Sequence, residues 1–128
     1  MPLLLLVCLG GAVGSGARYL VQTAAIRSLG ADFPHGTLAV NLVGSLLIGI
    51  VQHLGLGALA ISDTTRIALA TGVLGGFTTY SAFSYETVAL MAEGAWGRSI
   101  LYVSLTTLGC LLACALGLAL GRALVAPR

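Results

Sequence analysis

One apolar segment of the chain contains the sequence GGFTTYSAF at residues 75–83, which carries groups that could bind an ion. Gly75 and Gly76 disfavour a continuous helix, and the hydroxyls of Thr78 and Thr79 can satisfy backbone groups that a break sets free. Backbone that lacks helical hydrogen bonds persists inside a membrane only where protein or ions satisfy it. Freed carbonyl oxygens are hard ligands that suit an alkali cation. We therefore expect this helix to break within GGFTT, before Tyr80, and to expose carbonyl oxygens.

Aromatic and hydroxyl side chains follow the glycines at helical spacing. Tyr80 and Phe83 are three residues apart, and Ser81 and Ser84 repeat that spacing. Residues three apart share a helix face, so one face presents rings and its neighbour presents hydroxyls. Ring edges carry partial positive charge, so a path lined by ring edges and hydroxyls suits a small anion.

Two other apolar segments carry polar faces. Thr37, Asn41 and Ser45 are four residues apart and lie along one face, with Asn41 near mid-segment. An unpaired amide in hydrocarbon costs several kcal/mol, so Asn41 either bonds to a neighbouring helix or lines a polar path. Near the carboxyl terminus, Tyr102 and Thr106 lie on a second face whose hydroxyls can rotate toward an acceptor.

Glu86 and Arg18 are the charged residues that lie well within apolar segments. Ionisable groups at such positions often mark an ion pathway. Glu86 is therefore a candidate gate or access residue, with an interfacial acid as the equal alternative. Arg18 is a candidate access residue.

The composition places these segments in a membrane. Of 128 residues, 58% are hydrophobic and 8% are charged, with a mean hydropathy of +1.03. We predict an all-α membrane protein forming one transmembrane domain over residues 1–128, in which each of four helices reaches the roughly 20 residues that span hydrocarbon. The predicted spans are residues 3–26, 36–60, 66–91 and 98–123, with the third broken near mid-membrane.

The basic residues indicate no preferred orientation. Four alternating spans place three of the six basic residues, all arginines, on each side, so the positive-inside rule has almost nothing to act on. One side receives Arg66, Arg122 and Arg128, and the other receives Arg18, Arg27 and Arg98. This balance favours equal insertion in both orientations, and the dispersed arginines argue against nucleic-acid binding.

Small residues also recur at four-residue spacing, as at Gly10 and Gly14, which predicts faces where helix backbones approach closely. The last span carries a longer series of the same kind: Gly109, Ala113, Gly117 and Gly121.

The motif GGFTTYSAFSYE, together with GTLAVNLVGSLLIG and the early GGAVGSGARY, resembles the Fluc-type (CrcB-type) fluoride channels over essentially the whole chain. The resemblance implies a fluoride channel of the bacterial inner membrane that exports fluoride passively. It also implies an antiparallel, dual-topology homodimer with two pores and a structural sodium ion on the twofold axis.

Carried over by position, the sodium ligands are the backbone carbonyls of Gly75 and Thr78. The resemblance places six residues along the fluoride pathway: Asn41, Tyr80, Phe83, Ser84, Tyr102 and Thr106. The family usually has phenylalanine at both aromatic positions of its central motif, and this chain has Tyr80 at the first.

Two other functions compete with this interpretation. A small multidrug exporter would share four short helices, but that class is built around a carboxylate in its first span, and residues 3–26 contain neither Asp nor Glu. A non-transporting scaffold would explain the small-residue faces but not Asn41 or the break. Catalysis is not expected, because no nucleophile is paired with a base and no metal-ligand spacing occurs.

Overall fold

The protein is entirely helical in the part of the chain that a computed structural model describes, residues 2–54 and 61–125. The first two long helices are joined by a short loop that contains Pro34, and the last helix is the longest. The helices are α1 (Pro2–Leu29), α2 (His35–Leu54), α3 (Asp63–Ile67), a π-helical segment (Ala68–Leu74), α4 (Gly75–Phe77), α5 (Tyr80–Ala92) and α6 (Trp96–Val125).

Helices α1, α2 and α6 are each long and apolar enough to cross a membrane. They correspond to the first, second and fourth predicted spans. Both α1 and α6 extend one to three residues further at each end than predicted. The second predicted span runs to residue 60, but α2 is described only to Leu54, and residues 55–60 lie outside the described part of the chain.

The third predicted span is divided into four short helical pieces. Ser62 caps the first piece, since its hydroxyl accepts a hydrogen bond from the Thr65 N–H at 3.1 Å. The π-helical segment has a wider turn than an α-helix. The chain then leaves helical geometry between α4 and α5.

Two glycines with positive φ lie just after helix ends, Gly30 after α1 and Gly94 after α5. Gly30 has φ +84° and donates its N–H to the Ile26 carbonyl. Gly94 has φ +75°, and its N–H bonds to the Met91 carbonyl while the next N–H bonds to Leu90. This left-handed ending satisfies carbonyls of the final turn.

Close backbone contacts hold the long helices together, as the spacing of small residues predicts. A Cβ at Gly14 in α1 would clash with the Val73 carbonyl oxygen of the π-helical segment. A Cβ at Gly117 in α6 would clash with the Leu46 carbonyl oxygen of α2. Any side chain at either position would push the helices apart. The predicted packing faces are therefore confirmed.

Large apolar side chains cover the outside of the helices. Leu4 and Val13 of α1 are exposed, as are Leu108, Leu112 and Leu116 of α6. Only four large apolar side chains are buried among the described residues: Val40, Leu74, Leu90 and Tyr102. An apolar exterior around a small core requires lipid or protein to cover it.

Candidate functional site

The break in the third segment lies at two threonines. Thr78 has φ −85° and ψ 160°, and Thr79 has φ −153° and ψ 116°, so both are extended. Gly75 is helical, with φ −62° and ψ −38°. The predicted break within GGFTT is therefore confirmed, and it lies at the threonines, three residues after the glycines.

The paired glycines serve packing instead. A Cβ at Gly76 would lie 2.5 Å from the carbonyl oxygen of Gly11, so the absence of a side chain lets α4 touch α1. In addition, the Ser15 hydroxyl approaches the Gly76 carbonyl at 3.5 Å. A glycine pair can therefore mark a close helix contact without ending the helix.

Asn41 of α2 fixes the extended backbone of Thr79. The Asn41 Nδ2 donates to the Thr79 carbonyl at 3.1 Å, and the Thr79 N–H donates to Asn41 Oδ1 at 2.8 Å. Both residues are buried. The amide thus takes the place of a backbone partner for a peptide that has left the helix. Of the two roles that the sequence left open for Asn41, the structure shows the bond to a neighbouring segment.

The same arrangement leaves two carbonyl groups without their helical donors. In a continuous helix the Gly75 carbonyl would accept the N–H of Thr79, which instead bonds to Asn41. Likewise, the Thr78 carbonyl would accept the N–H of Ala82, which instead bonds to the Thr79 hydroxyl at 3.2 Å. These freed oxygens have the chemistry of ligands for a hard cation.

Other cation ligands are scarce. Within residues 2–54 and 61–125, no group of three or more His, Cys, Asp or Glu side chains could hold a metal. A cation at the break would therefore depend on the carbonyl oxygens. Gly75 is exposed and Thr78 is half-buried in the single chain, so the chain itself encloses neither residue.

A groove of about 500 Å³ runs beside the break. It brings together most of the residues predicted to bind ions, which come from three separate segments of the sequence. Those that line it are Asn41, Gly75, Thr78, Tyr80, Phe83 and Thr106. Thr106 is buried, and its hydroxyl oxygen has no hydrogen-bond partner among the described residues. Thr106 therefore brings an unsatisfied hydroxyl to the residues that line the groove.

Four aromatic rings form a continuous series from the groove into the protein. Tyr80 and Phe83 have ring centroids 5.5 Å apart, and Phe83 meets Tyr102 edge-on at 5.3 Å. Tyr102 in turn meets Phe33 at 5.5 Å. Tyr80 is 79% exposed and Tyr102 is fully buried, so the series runs from the surface to the core. Tyr102 therefore lies behind Phe83 and not on the groove wall.

Glu86 lies beside Tyr102, the buried ring of this series, and two hydroxyls bind its carboxylate. Thr37 donates to Oε1 at 2.8 Å and Tyr102 donates to Oε2 at 2.6 Å. Gln22 Nε2 in turn donates to the Thr37 hydroxyl at 2.9 Å. The carboxylate thus joins α5 to α2 and α6, and Gln22 extends the network to α1. Gln22 and Phe33 were not predicted as site residues, and no local spacing connects them to Glu86.

A second cavity, of about 630 Å³, lies on the other side of Glu86. Gln22, Thr37 and Glu86 line it, together with His35 and Arg98. Arg98 donates to the Asp32 carbonyl at 2.7 Å and so ties α6 to the loop before α2. Phe33, the last ring of the aromatic series, also lines this cavity, so the series and Glu86 both reach it.

Two predicted residues lie apart from these contacts. The Ser84 hydroxyl donates to the Tyr80 carbonyl of its own helix at 3.0 Å, and Ser84 is not among the residues that line the groove. Arg18 is half-buried in α1 and is among the lining residues of neither cavity.

Comparison with known proteins identifies the family. The sequence model described as "CrcB-like protein, Camphor Resistance (CrcB)" matches residues 5–118. This chain belongs to the CrcB-like family. The resemblance found in its motifs is therefore confirmed.

Relatives of this family member are similar over nearly their full lengths. One from Anaeromyxobacter dehalogenans is 52% identical over 113 residues, which cover 88% of this chain and 90% of the relative. One from Thermus thermophilus is 50% identical over 121 residues, 94% of each chain. One from Sorangium cellulosum is 44% identical over 118 residues, 92% of this chain and 93% of the relative. Each of the three is named "Fluoride-specific ion channel FluC".

Proposed function

We propose that this protein is a fluoride-selective channel that lets fluoride leave the cell passively across the bacterial inner membrane. The observation that carries the proposal is the groove lined by Tyr80, Phe83 and Thr106, the last of which has an unpartnered hydroxyl. The names of the relatives identify the anion.

Hydroxyls and ring edges can replace the water around a small anion. The Thr106 hydroxyl offers a donor, and the ring edges offer partial positive charge. A narrow path with fixed donors fits a small anion and fits a larger one such as chloride poorly. Tyr80, Phe83 and Thr106 are the residues we assign to the groove side of the path. Ser84 would reach the path only by giving up its bond to Tyr80.

Glu86 and its donors form the inner part of the proposed path. Tyr102 touches both Phe83 and Glu86, so it links the groove to the second cavity. An anion that passes Glu86 needs the donors that the carboxylate now occupies, which gives Glu86 the role of a gate. Arg18 would supply positive charge on the approach to the path.

We further propose that the chain spans the membrane four times and works as an antiparallel homodimer of dual topology. The third span would comprise residues 63–92, whose pieces together match the length of the other spans. The equal division of six arginines supports insertion in both orientations. The exposed apolar surface of α1 and α6 supports a lipid or protein covering.

A structural sodium ion would lie where the two copies cross. One chain offers the freed carbonyls of Gly75 and Thr78, and two copies would supply four oxygens, enough for a compact sodium site. The ion would also offset the carbonyl dipoles, which are costly to bury unpaired. Sodium would supply charge compensation at the break and would not be the transported ion.

Ion release from proteoliposomes tests the fluoride function. Vesicles loaded with potassium fluoride should release fluoride within seconds when a potassium ionophore is added, and vesicles loaded with potassium chloride should retain their chloride. Retention of fluoride would contradict the channel. Proton-driven uptake of a lipophilic cation would instead identify a small multidrug exporter, and no transport of any kind would leave a scaffold.

Labelling of one exposed loop residue tests the topology. Ala31 lies in the loop between α1 and α2 and is exposed. An Ala31→Cys variant should react with a membrane-impermeant thiol reagent from both sides of the membrane, relative to the parent protein with its own cysteines. Labelling from a single side would contradict dual topology.

A further inference from the structure

We propose that Asn41 is a positioning residue that creates the cation site, because it holds the Thr79 peptide out of the helix and keeps the Gly75 carbonyl free. The inference rests on the proposed sodium site and names the side chain that keeps its carbonyl ligands free. Asn41 would then act on sodium without touching it.

The two bonds between Asn41 and Thr79 make the amide a substitute for helical backbone. The Thr79 N–H, at 2.8 Å from Oδ1, is the donor that a continuous helix would give to Gly75. The Thr79 carbonyl, at 3.1 Å from Nδ2, is satisfied by the same side chain. Because both backbone groups are buried and paired, the extended conformation of Thr79 leaves neither of them unsatisfied.

The Thr79 hydroxyl frees the second carbonyl, that of Thr78. Its Oγ1 accepts the Ala82 N–H at 3.2 Å and so caps α5. That N–H is the donor that a continuous helix would give to the Thr78 carbonyl. Asn41 therefore frees the Gly75 carbonyl. Thr79, whose peptide Asn41 holds, frees the Thr78 carbonyl.

The Gly75 carbonyl is the nearest alternative partner along the chain when Asn41 is removed. An unpaired buried N–H is costly, so the Thr79 peptide would turn back toward the helical bond. The Gly75 oxygen would then be occupied and turned away from a cation. Loss of Asn41 should thus weaken sodium binding even though the amide lies outside the set of sodium ligands.

Equilibrium binding of radioactive sodium to the detergent-solubilised protein tests the inference. The wild-type protein should bind sodium saturably, and Asn41→Ala should weaken binding by about tenfold or more, since one hydrogen bond of roughly 1.4 kcal/mol corresponds to that factor. Thr79→Ala, which removes the cap on Ala82 and a contact with the Ser81 hydroxyl, should also weaken it. Thr79→Ser keeps the hydroxyl and should restore binding to near the wild-type level.

A matched control separates positioning from general stability. The Ser99 hydroxyl bonds to the Thr87 carbonyl at 3.2 Å, a buried contact between α6 and α5 away from the break. Ser99→Ala should lower the unfolding temperature and leave sodium affinity unchanged. If Asn41→Ala fails to fold, the difference in sodium affinity between Thr79→Ala and Thr79→Ser still tests whether the Thr79 hydroxyl keeps the site open.

Equal sodium affinity in wild type, Asn41→Ala and Thr79→Ala would overturn the inference. A wild-type protein that binds no sodium would overturn both the sodium site and the inference. Fluoride release by that same protein would nevertheless leave the channel function standing.

Discussion

Tyr102 donates its hydroxyl hydrogen to Glu86 Oε2 at 2.6 Å while its ring meets Phe83 edge-on at a centroid distance of 5.3 Å. One buried side chain thus contacts a residue of each cavity, since Glu86 lines one and Phe83 lines the other. A change at Tyr102 can therefore separate the role of the ring from that of the hydroxyl.

Tyr102→Phe should keep the ring contacts and remove one of the two hydroxyl donors to Glu86. A hydrogen bond to a charged group contributes about 1.5–3 kcal/mol, so we expect the free energy of unfolding to fall by that order and fluoride release to slow. Denaturant unfolding in mixed micelles measures the first and a fluoride electrode the second. In a cycle with Glu86→Gln, the two losses should not add, because the residues share one contact. Additive losses would show that the bond contributes nothing.

Gly14→Ala should destabilise the protein, because its Cβ would clash with the Val73 carbonyl oxygen. Overpacking of this kind costs roughly 1–3 kcal/mol. Gly16 is the matched control, since it lies in the same helix with nothing within 4 Å of an added Cβ. Gly16→Ala should leave stability unchanged or raise it slightly. If the two variants melt at the same temperature, the close contact between α1 and the π-helical segment is wrong.

Thr106→Val should reduce fluoride release without lowering the stability of the protein. The Thr106 hydroxyl is buried without a partner among the described residues, and such a group costs about 1–3 kcal/mol, so valine should keep or raise the unfolding temperature. Fluoride release should fall, because the path loses a donor. Thr106→Ser keeps the hydroxyl and should conduct. Full conduction by Thr106→Val would remove this hydroxyl from the path.

Tyr80→Phe should preserve both stability and fluoride release. The Tyr80 side chain is 79% exposed and its ring lies 5.5 Å from that of Phe83, a contact that phenylalanine keeps. Phe83→Leu, in contrast, removes the ring that packs against Tyr102 and should reduce fluoride release strongly. Parallel measurements on the two variants show whether transport depends on the ring or on the Tyr80 hydroxyl. Loss of transport in Tyr80→Phe would show that the hydroxyl itself is required.

Composition and spacing in the sequence determined the class, the family and most members of the site. An apolar content of 58% excludes a soluble domain, and helical spacing places Tyr80 beside Phe83 and Tyr102 beside Thr106 on shared faces. These features are local, because they depend only on residues within a few turns. The close contacts of Gly14 and Gly117 could be predicted for the same reason.

Tertiary structure alone decided where the third segment breaks and what Asn41 does. The break depends on competition between a local helical bond to Gly75 and a side chain 38 residues earlier in the sequence. The low helix propensity of glycine favours a break at position 75. The Asn41 amide instead satisfies the backbone N–H and carbonyl of Thr79, so the chain leaves the helix at Thr79. Glu86 gains Tyr102 and Thr37 as donors in the same way, from helices that are distant in sequence. Hydrogen bonds between separate helices depend on how those helices pack, and no local pattern in the sequence encodes that geometry.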